Sequence, residues 1–137
     1  MPFTTRITVR FGDCDPAGLV YYPVIFHYCH VALEEFFAAR CGVPYDRLMR
    51  DERLGFPTVN VRAEFFAPLF YGDEAEVVVA VARLGRSSVT LQYEVSRAGD
   101  RTLCARSEQV HAAMNLDARR AVEISARLRE AFSGAAQ

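Results

Sequence analysis

Polar and apolar residues alternate along the chain from Thr5 to Phe11. A period of two is typical of a half-buried strand, so this segment is predicted to be one. The pattern then changes, because apolar residues occupy nearly every position from Pro23 to Arg40 or Cys41. That segment predicts one long helix buried on almost all sides, begun by a proline and ended by Gly42.

Period-two alternation returns further along the chain and predicts four strands, Thr58–Phe66, Glu74–Leu84, Ser87–Arg97 and Thr102–Asn115. Short turns between them favour an antiparallel meander. One sheet curling around one helix would bury an apolar helix, so the predicted fold class is α+β with a five-stranded antiparallel sheet. The smaller predicted elements are a surface helix at Pro44–Arg53, a short strand at Ala121–Ile124, a last helix capped by Ser125 and a frayed tail at Gly134–Gln137.

Composition narrows the class of protein. A length of 137 residues predicts a single domain, 1–137, and the net charge of −1 offers no general attraction to nucleic acid or an anionic membrane. All 16 basic residues are arginine, which excludes lysine Schiff-base chemistry. No segment is long and apolar enough to span a bilayer or forms a signal peptide, and the four cysteines lack CxxC spacing. We therefore expect a cytoplasmic protein with reduced thiols.

The candidate chemistry lies in the acidic loop Gly12–Gly18, directly before the long helix. The start of a helix carries free N–H groups and the positive end of the helix dipole. Such groups polarise a carbonyl oxygen, and the loop offers the carboxylates of Asp13 and Asp15 and the Cys14 thiol to act on the adjacent carbon. The alternative for Asp15 is a structural role in capping its own loop. Asp13 is expected to orient the loop, and the flanking carboxylates disfavour a thiolate at Cys14.

Several other polar and aromatic residues each have two possible roles. Tyr21 and Tyr22 either line an acyl pocket or pack in the core. His27 and His30 lie three residues apart on the helix, and a core or interface role is favoured over metal binding. His111, on a predicted strand, is expected to pack in the interior or to lie on a polar outer face.

The run FGDCDPAG at Phe11–Gly18, followed by the segment Val20–Pro23, resembles the acyl-CoA thioesterases of the hotdog fold. The similarity is to the 4-hydroxybenzoyl-CoA thioesterase group and its benzoyl-CoA relatives. It extends over almost the whole chain, more weakly, at Phe56–Phe66, Gly72-Asp73, Leu84–Ser88 and Ala113–Asn115. The resemblance implies a hotdog domain, in which the sheet wraps around one long central helix.

The resemblance also implies roles for individual residues. Asp15 would be the catalytic carboxylate, either as a nucleophile that forms a mixed anhydride or as a base that activates water. The backbone N–H of Tyr22 would hold the carbonyl oxygen, with Gly18 and Tyr21 also at the substrate. The turn Arg86-Ser87-Ser88 would meet the CoA phosphates, commonly across a subunit interface, although Gly85 and Ser87 replace basic residues of the hydroxybenzoyl enzyme.

The expected function is hydrolysis of an aromatic acyl-CoA, of the benzoyl or hydroxybenzoyl type, to the free acid and CoA. CoA is part of the substrate, so no cofactor or metal is expected, and the partner is a second copy in a homodimer or homotetramer. One alternative is a thioesterase for short or medium aliphatic acyl-CoA, whose relatives tend to carry histidine at the position of Tyr22. The other is a non-catalytic module that binds acyl-CoA or an acyl carrier on the same fold.

Overall fold

The structure, a computed structural model, describes residues 1–137. Five strands form one antiparallel sheet, and a 19-residue helix packs against one face of it. The helices are α1 (Tyr22–Arg40), α2 (Tyr45–Asp51) and α3 (Ala126–Ser133). The strands of this sheet are β1 (Phe3–Thr8), β3 (Thr58–Phe65), β4 (Glu74–Leu84), β5 (Ser88–Arg97) and β6 (Leu103–Ala112). Three two-residue strands, β2 (Leu54–Gly55), β7 (Met114–Asn115) and β8 (Arg120–Ala121), form a second small sheet.

The strand order in the large sheet is β1-β4-β5-β6-β3, which confirms the predicted five-stranded antiparallel sheet. The predicted meander is wrong at one connection. β3 does not pair with β4, the next strand in the chain, but lies at the far edge beside β6, where Thr58 is opposite His111 and Phe65 is opposite Ala105. The connecting segment 66–73 is a crossover and not a hairpin, because β5 and β6 lie between the two strands that it joins. Leu69 in this segment is buried, and its carbonyl accepts the Val20 N–H at 2.9 Å.

Several predicted boundaries also differ. The first strand ends at Thr8 because a 3-10 turn begins at Phe11, and the predicted long last strand ends at Ala112 before β7 joins the small sheet. The predicted strand at Ala121–Ile124 is reduced to β8. The tail is not frayed, since Ala135 is fully buried and its carbonyl accepts the Val81 N–H at 2.8 Å.

One face of α1 forms the centre of the hydrophobic core, through residues Ile25, Tyr28, Cys29, Ala32, Leu33, Phe36 and Phe37. The opposite face is open, with His27, His30 and Glu34 exposed. The expectation that α1 is buried on almost all sides is therefore wrong for the single chain, because the sheet covers only one side. The predicted caps are confirmed: Gly42 has a φ of +70°, and the Ser125 hydroxyl accepts the Leu128 N–H.

None of the three helices is both long enough and apolar enough to cross a lipid bilayer.

Candidate active site

The acidic loop is fastened to α1 through Asp13. Its carboxylate oxygen Oδ2 accepts hydrogen bonds from the Tyr28 hydroxyl at 2.7 Å and from the Arg10 N–H at 3.0 Å. Its backbone carbonyl accepts the Tyr21 N–H at 3.1 Å. Burial, followed by the bond to Asp13, raises the pKa of Tyr28, so the hydroxyl keeps its proton and donates. Asp13 thus has the orienting role that was expected for it.

Asp15 lies in a tight turn of the same loop. Its N–H donates to the Leu19 carbonyl at 2.8 Å, and its carbonyl accepts the Gly18 N–H at 2.9 Å. Gly18 has a φ of +84°, a conformation that favours glycine. One carboxylate oxygen of Asp15, Oδ1, accepts the Ala17 N–H at 2.9 Å, which is the loop-capping role. No donor in the chain is hydrogen-bonded to Oδ2, so this oxygen is available for chemistry.

The first turn of α1 supplies a free donor next to this loop. Tyr22 is the first residue of the helix and Pro23, which has no N–H, is the second. No loop, turn or side-chain acceptor is hydrogen-bonded to the Tyr22 N–H, whereas the Val24 N–H already donates to the Tyr21 carbonyl at 2.8 Å. An unpaired N–H at the positive end of a helix is suited to hold a carbonyl oxygen that gains negative charge.

The Cys14 thiol lies between the two aspartates and is half-buried. Partial burial and the neighbouring carboxylates of Asp13 and Asp15 raise its pKa. A thiol with a raised pKa is a poor nucleophile at neutral pH, which agrees with the expectation from the sequence.

An apolar cavity of about 340 Å³ opens beside Tyr22, and eight of its nine lining residues are apolar. Its walls come from the segment directly after the acidic loop, the start of α1, the end of β3, the crossover and the start of β6, and they include Leu19, Tyr22, Ile25, Phe65, Leu69 and Cys104. The Tyr22 ring lies edge-on to Phe65, with 6.3 Å between ring centroids. Tyr22 and Tyr21 are both exposed, so the core-packing interpretation of these rings is wrong.

The sequence offered Tyr21 and Tyr22 as pocket residues; Tyr22 lines this cavity, Tyr21 does not, and the other walls were missed. Alternation in the strand that ends near Phe65 offered a signal for that residue, because Phe65 shares a face with Val61 and Ala63 and so points toward the helix side. Leu69 and Cys104 gave no comparable signal, since their place beside Tyr22 depends on the crossover and on the pairing of β3 with β6.

The structure does not bring the turn Arg86-Ser87-Ser88 to Asp15 within one chain. The acidic loop lies at the Glu74 end of β4, since the Leu69 carbonyl and Phe70 pair with the end of the loop. The turn follows the other end of this 11-residue strand, roughly 35 Å away at about 3.3 Å per residue. Arg86 is 84% exposed and lies 3.7 Å from the Glu123 carboxylate.

The three histidines occupy different environments. His30 lies 2.9 Å from the Glu34 carboxylate on the exposed side of α1, and His27 is also exposed. His111 is 1% exposed and faces the interior, so its place is in the packed core and not on the outer face. Both of its ring nitrogens are hydrogen-bonded, Nδ1 to the Thr58 hydroxyl at 3.0 Å and Nε2 to the Tyr93 hydroxyl at 2.9 Å.

Comparison with known proteins adds to this geometry. The family model described as the thioesterase-like superfamily matches residues 9–132. A 4-hydroxybenzoyl-CoA thioesterase from Pseudomonas sp. (strain CBS-3) is 33% identical over 130 residues, covering 90% of this chain and 92% of the relative. A 1,4-dihydroxy-2-naphthoyl-CoA hydrolase from Rippkaea orientalis is 29% identical over 119 residues, 86% of each chain. The crystal structure of a 1,4-dihydroxy-2-naphthoyl-CoA thioesterase from Synechocystis has a TM-score of 0.88 and 25% identity, covering 97% of this chain and 96% of that one.

Proposed function

Since the chain belongs to the thioesterase-like superfamily and is a hydrolase of CoA thioesters, we propose that its substrate is an aromatic acyl-CoA of the benzoyl or hydroxybenzoyl type. The products are the free acid and CoA. The observation that carries the proposal is the junction of loop and helix, where a carboxylate oxygen of Asp15 in the loop is unpaired and the unpaired N–H of Tyr22 belongs to a residue that lines an apolar cavity. A thioester needs these three features: a group that attacks, a donor for the oxygen and a place for the acyl group.

In the proposed reaction the Tyr22 N–H holds the thioester carbonyl oxygen, and this bond strengthens as the oxygen gains charge. Asp15 then acts in one of two ways. As a nucleophile, its Oδ2 bonds to the carbonyl carbon, the bond to sulfur breaks and CoA leaves as a thiolate; water opens the resulting mixed anhydride and restores the carboxylate. As a base, Asp15 takes a proton from the water that attacks the same carbon, the bond to sulfur breaks, and the leaving CoA thiolate takes up that proton. Neither route needs a group beyond the substrate, water and these residues.

The test is hydrolysis of a panel of benzoyl-, hydroxybenzoyl-, phenylacetyl- and short to long aliphatic acyl-CoA esters, with CoA release followed by a thiol reagent. Asp15→Asn is expected to lower kcat/KM by about 10²–10⁴-fold, because the amide neither attacks nor accepts the proton. The matched control is Cys14→Ala in the same loop, which is expected to keep the wild-type rate. An Asp15→Asn variant with the wild-type rate would remove Asp15 from the reaction.

The panel also separates the alternatives. Turnover of aliphatic esters alone would identify a short- or medium-chain acyl-CoA thioesterase, because an apolar cavity also accepts alkyl groups. Binding without release of CoA would identify a non-catalytic acyl-CoA or acyl-carrier module. One turnover in ¹⁸O-labelled water tests the anhydride route: label in the aspartate carboxylate shows that water opened an anhydride at the aspartyl carbon, which base catalysis cannot produce. Label only in the acid is the outcome both of base catalysis and of an anhydride opened at the acyl carbon.

The proposal includes self-association as a homodimer or homotetramer. β3 is an edge strand of the sheet, and apolar side chains are exposed along it and just beyond it, namely Val59, Val61, Phe65 and Phe66. An open edge with exposed apolar side chains is a template for pairing with another strand. Charge favours a second copy as that partner, because antiparallel pairing centred on Ala63 sets Arg62 of each copy opposite the partner's Glu64.

Antiparallel pairing of two β3 strands also supports the role proposed for the turn Arg86-Ser87-Ser88. In each chain the Phe65 end of β3 adjoins Tyr22, whereas the Thr58 end is aligned with the start of β5, next to this turn. A two-fold axis across β3 therefore brings the turn of one copy toward the acidic loop of the other. Arg86, which is highly exposed, would then reach the CoA phosphates through charge-assisted hydrogen bonds.

A further inference from the structure

A second cavity, of about 370 Å³, lies on the open side of α1. His30 and Glu34 line it from the helix, and Thr58 lines it from the start of β3. Nε2 of His30 is 2.9 Å from the Glu34 carboxylate, and both side chains are 47% exposed in the single chain. The Tyr45 ring lies edge-on to the imidazole, with 6.0 Å between ring centroids, so the imidazole packs against the cavity wall. Neither His30 nor Glu34 has a role in the proposed reaction.

This pair presents hydrogen-bond acceptors to the cavity. A carboxylate next to Nε2 of His30 favours the neutral imidazole with its proton on that nitrogen, which leaves Nδ1 as an acceptor. No group of the chain is hydrogen-bonded to Nδ1 or to the second carboxylate oxygen of Glu34. Two neighbouring acceptors suit a ligand group that donates a proton, such as a hydroxyl.

The helix α1 runs alongside β3 in the opposite direction. Near the start of the helix, the ring centroids of Tyr22 and Phe26 lie 6.3 and 6.2 Å from that of Phe65, at the end of β3. Further along the helix, His30 shares its cavity with Thr58, at the start of the strand. Because Tyr22, Phe26 and His30 are four residues apart, they form one stripe on the helix. This stripe follows the open edge of the sheet, where the second copy is proposed to pair.

The two-fold axis of the proposed dimer passes at Ala63, perpendicular to the sheet, so both helices lie on the same face. Phe65 is two residues from the axis, so Tyr22 beside it lies about 7 Å from the axis along the strand, at about 3.3 Å per residue. His30 follows Tyr22 by eight residues, about 12 Å at about 1.5 Å per residue, and therefore lies about 5 Å beyond the axis. The axis thus brings the partner's His30 level with Tyr22.

The same symmetry joins the two cavities. Pairing centred on Ala63 sets the partner's Thr58 beside Pro68, which lines the apolar cavity. Each acyl site of the dimer then has an apolar part from one chain and a polar part, with the partner's His30 and the partner's Glu34, from the other. An acyl group whose carbonyl oxygen is held at the start of the helix extends between them.

We propose that the partner's His30 and the partner's Glu34 complete the acyl site and bind a hydroxyl at the far end of the acyl group. The inference rests on the proposed function and names the substrate class within it: aryl-CoA esters with a ring hydroxyl, in preference to unsubstituted or alkylated ones. A phenol that enters this site exchanges a hydrogen bond to water for one to the pair, whereas a methyl group leaves both acceptors without a donor. Because one acceptor is charged, we expect a preference of about 10- to 100-fold.

Binding is measured with two CoA thioethers, 4-hydroxyphenacyl-CoA and 4-methylphenacyl-CoA, which cannot be hydrolysed because a methylene separates the sulfur from the aryl ketone. Binding isotherms avoid the effect of the hydroxyl on thioester reactivity, and the methyl group matches the hydroxyl in size. We expect the hydroxy analogue to have a Kd about 10- to 100-fold lower than the methyl analogue. Equal binding, or tighter binding of the methyl analogue, would overturn the inference.

Three variants assign the preference to the pair. Glu34→Gln replaces the charged acceptor by an amide of the same size and is expected to reduce the hydroxy-over-methyl preference by about three- to tenfold. Glu35→Gln is the matched control, because the Glu35 carboxylate accepts from the Thr5 hydroxyl on β1, away from this cavity, and the preference should stay. His30→Phe keeps a ring but no nitrogen, so the ratio of Kd values should fall toward one. A folded His30→Phe protein with the wild-type ratio would show that the hydroxyl lies elsewhere.

A mixed dimer shows which chain supplies the pair. One chain carries Asp15→Asn and the other His30→Phe, each with its own affinity tag, so two purification steps isolate the mixed species. The one site with an intact Asp15 then faces an intact His30 from the other chain. It is expected to keep the wild-type ratio of kcat/KM for 4-hydroxybenzoyl-CoA over 4-methylbenzoyl-CoA. The ratio of the His30→Phe homodimer would instead show that His30 acts within its own chain, against the inference.

The two proposals fail in different ways. If the protein binds the analogues in the expected order, with dependence on His30, but hydrolyses no acyl-CoA, the proposed function is wrong and the hydroxyl site stands. If it hydrolyses aryl-CoA esters with dependence on Asp15 but binds the methyl analogue as tightly as the hydroxy analogue, the proposed function stands and the hydroxyl site is wrong.

Discussion

Asp13 and Asp15 are separated by a single residue, and their carboxylates have different surroundings. Asp13 is held by the Tyr28 hydroxyl and the Arg10 N–H through one oxygen, so it fastens the loop to the helix. One carboxylate oxygen of Asp15 accepts the Ala17 N–H, and the other has no hydrogen-bond donor. At the scale of single residues, the proposed division between a structural Asp13 and a reactive Asp15 rests on two hydrogen-bond donors at the first carboxylate and one at the second.

Gly18 provides a test of this loop. Its φ of +84° favours glycine, and a Cβ added there would meet nothing within 4 Å, so any penalty comes from the backbone alone. Gly18→Val is expected to lower the free energy of unfolding by about 1–2 kcal/mol and to reduce kcat/KM by displacing Asp15. Gly18→Asn is the matched control, because asparagine tolerates this conformation. Urea denaturation and the CoA-release assay measure both effects; equal losses in the two variants would point to a steric cause instead.

At the scale of elements, α1 and β3 are each covered by the rest of the chain on one side and uncovered on the other. The sheet covers the face of α1 that carries Tyr28 and Phe36, while His30 and Glu34 stay exposed. β3 pairs with β6 on one side and has no partner on the other. The open side of β3 carries exposed apolar side chains, and such an edge is prone to pair with another strand, so we propose that a second copy covers it.

Val61→Lys is expected to break the proposed assembly, because it places a charge on the exposed apolar side of β3. Light scattering should then report the 15.4 kDa mass of one chain, and CoA release should fall since the turn at Arg86 no longer reaches Asp15. Thr4→Lys on β1, the opposite edge strand, is the control and should leave the mass unchanged. A wild-type protein that is itself monomeric would contradict the assembly.

Mixing two variants tests whether the site is shared between copies. Asp15→Asn lacks the carboxylate and Arg86→Ala lacks the cation, so each homo-oligomer is impaired at low substrate concentration. In a mixed dimer, one of the two sites pairs an intact Asp15 with an intact Arg86 from the other chain. Mixing after mild denaturation and refolding is expected to restore part of the activity, and no recovery would mean that Arg86 acts within its own chain or not at all.

At the scale of the whole molecule, His111 couples the packed core to pH. It is 1% exposed, and burial, followed by the charge of His30, lowers its pKa from 6.5 to about 4. Between these values the unfolded chain binds a proton that the folded chain does not, so the free energy of unfolding falls as the pH falls through this window. Above pH 6.5 both states are neutral at this ring and the effect disappears.

We expect acidification from pH 6.5 to 4 to remove about 3 kcal/mol of stability through His111, at about 1.4 kcal/mol per pKa unit. His111→Gln keeps polar atoms for Thr58 and Tyr93 but has no proton to bind, so its stability should depend less steeply on pH over that window. The exposed His27→Gln is the control and should follow the wild-type curve. Urea denaturation across the pH range measures the slopes; identical slopes for His111→Gln and wild type would show that another group carries the acid sensitivity.

Much of the local structure followed from the sequence alone. The long helix with its stop at Gly42, the hairpins that join β4, β5 and β6, and the acidic loop before the helix were all predicted correctly, although the helix begins at Tyr22, one residue before the predicted Pro23. These features depend on residues that are neighbours in the chain, so period, proline and glycine are sufficient to indicate them. The resemblance carried by residues 11–23 also indicated the family and the hotdog fold.

Other features were decided only by the tertiary structure. They are the place of β3 beside β6, the hydrogen bond from the Tyr28 hydroxyl to Asp13, the apolar cavity lined by Phe65 and Cys104, and the separation of Arg86 from Asp15. Each depends on contacts between segments far apart in the chain, and neither hydrophobic period nor turn length encodes which segments meet. The sequence by itself determined the elements and the chemistry of the loop. The packing of those elements determined which oxygen, which N–H and which wall are free to meet a substrate.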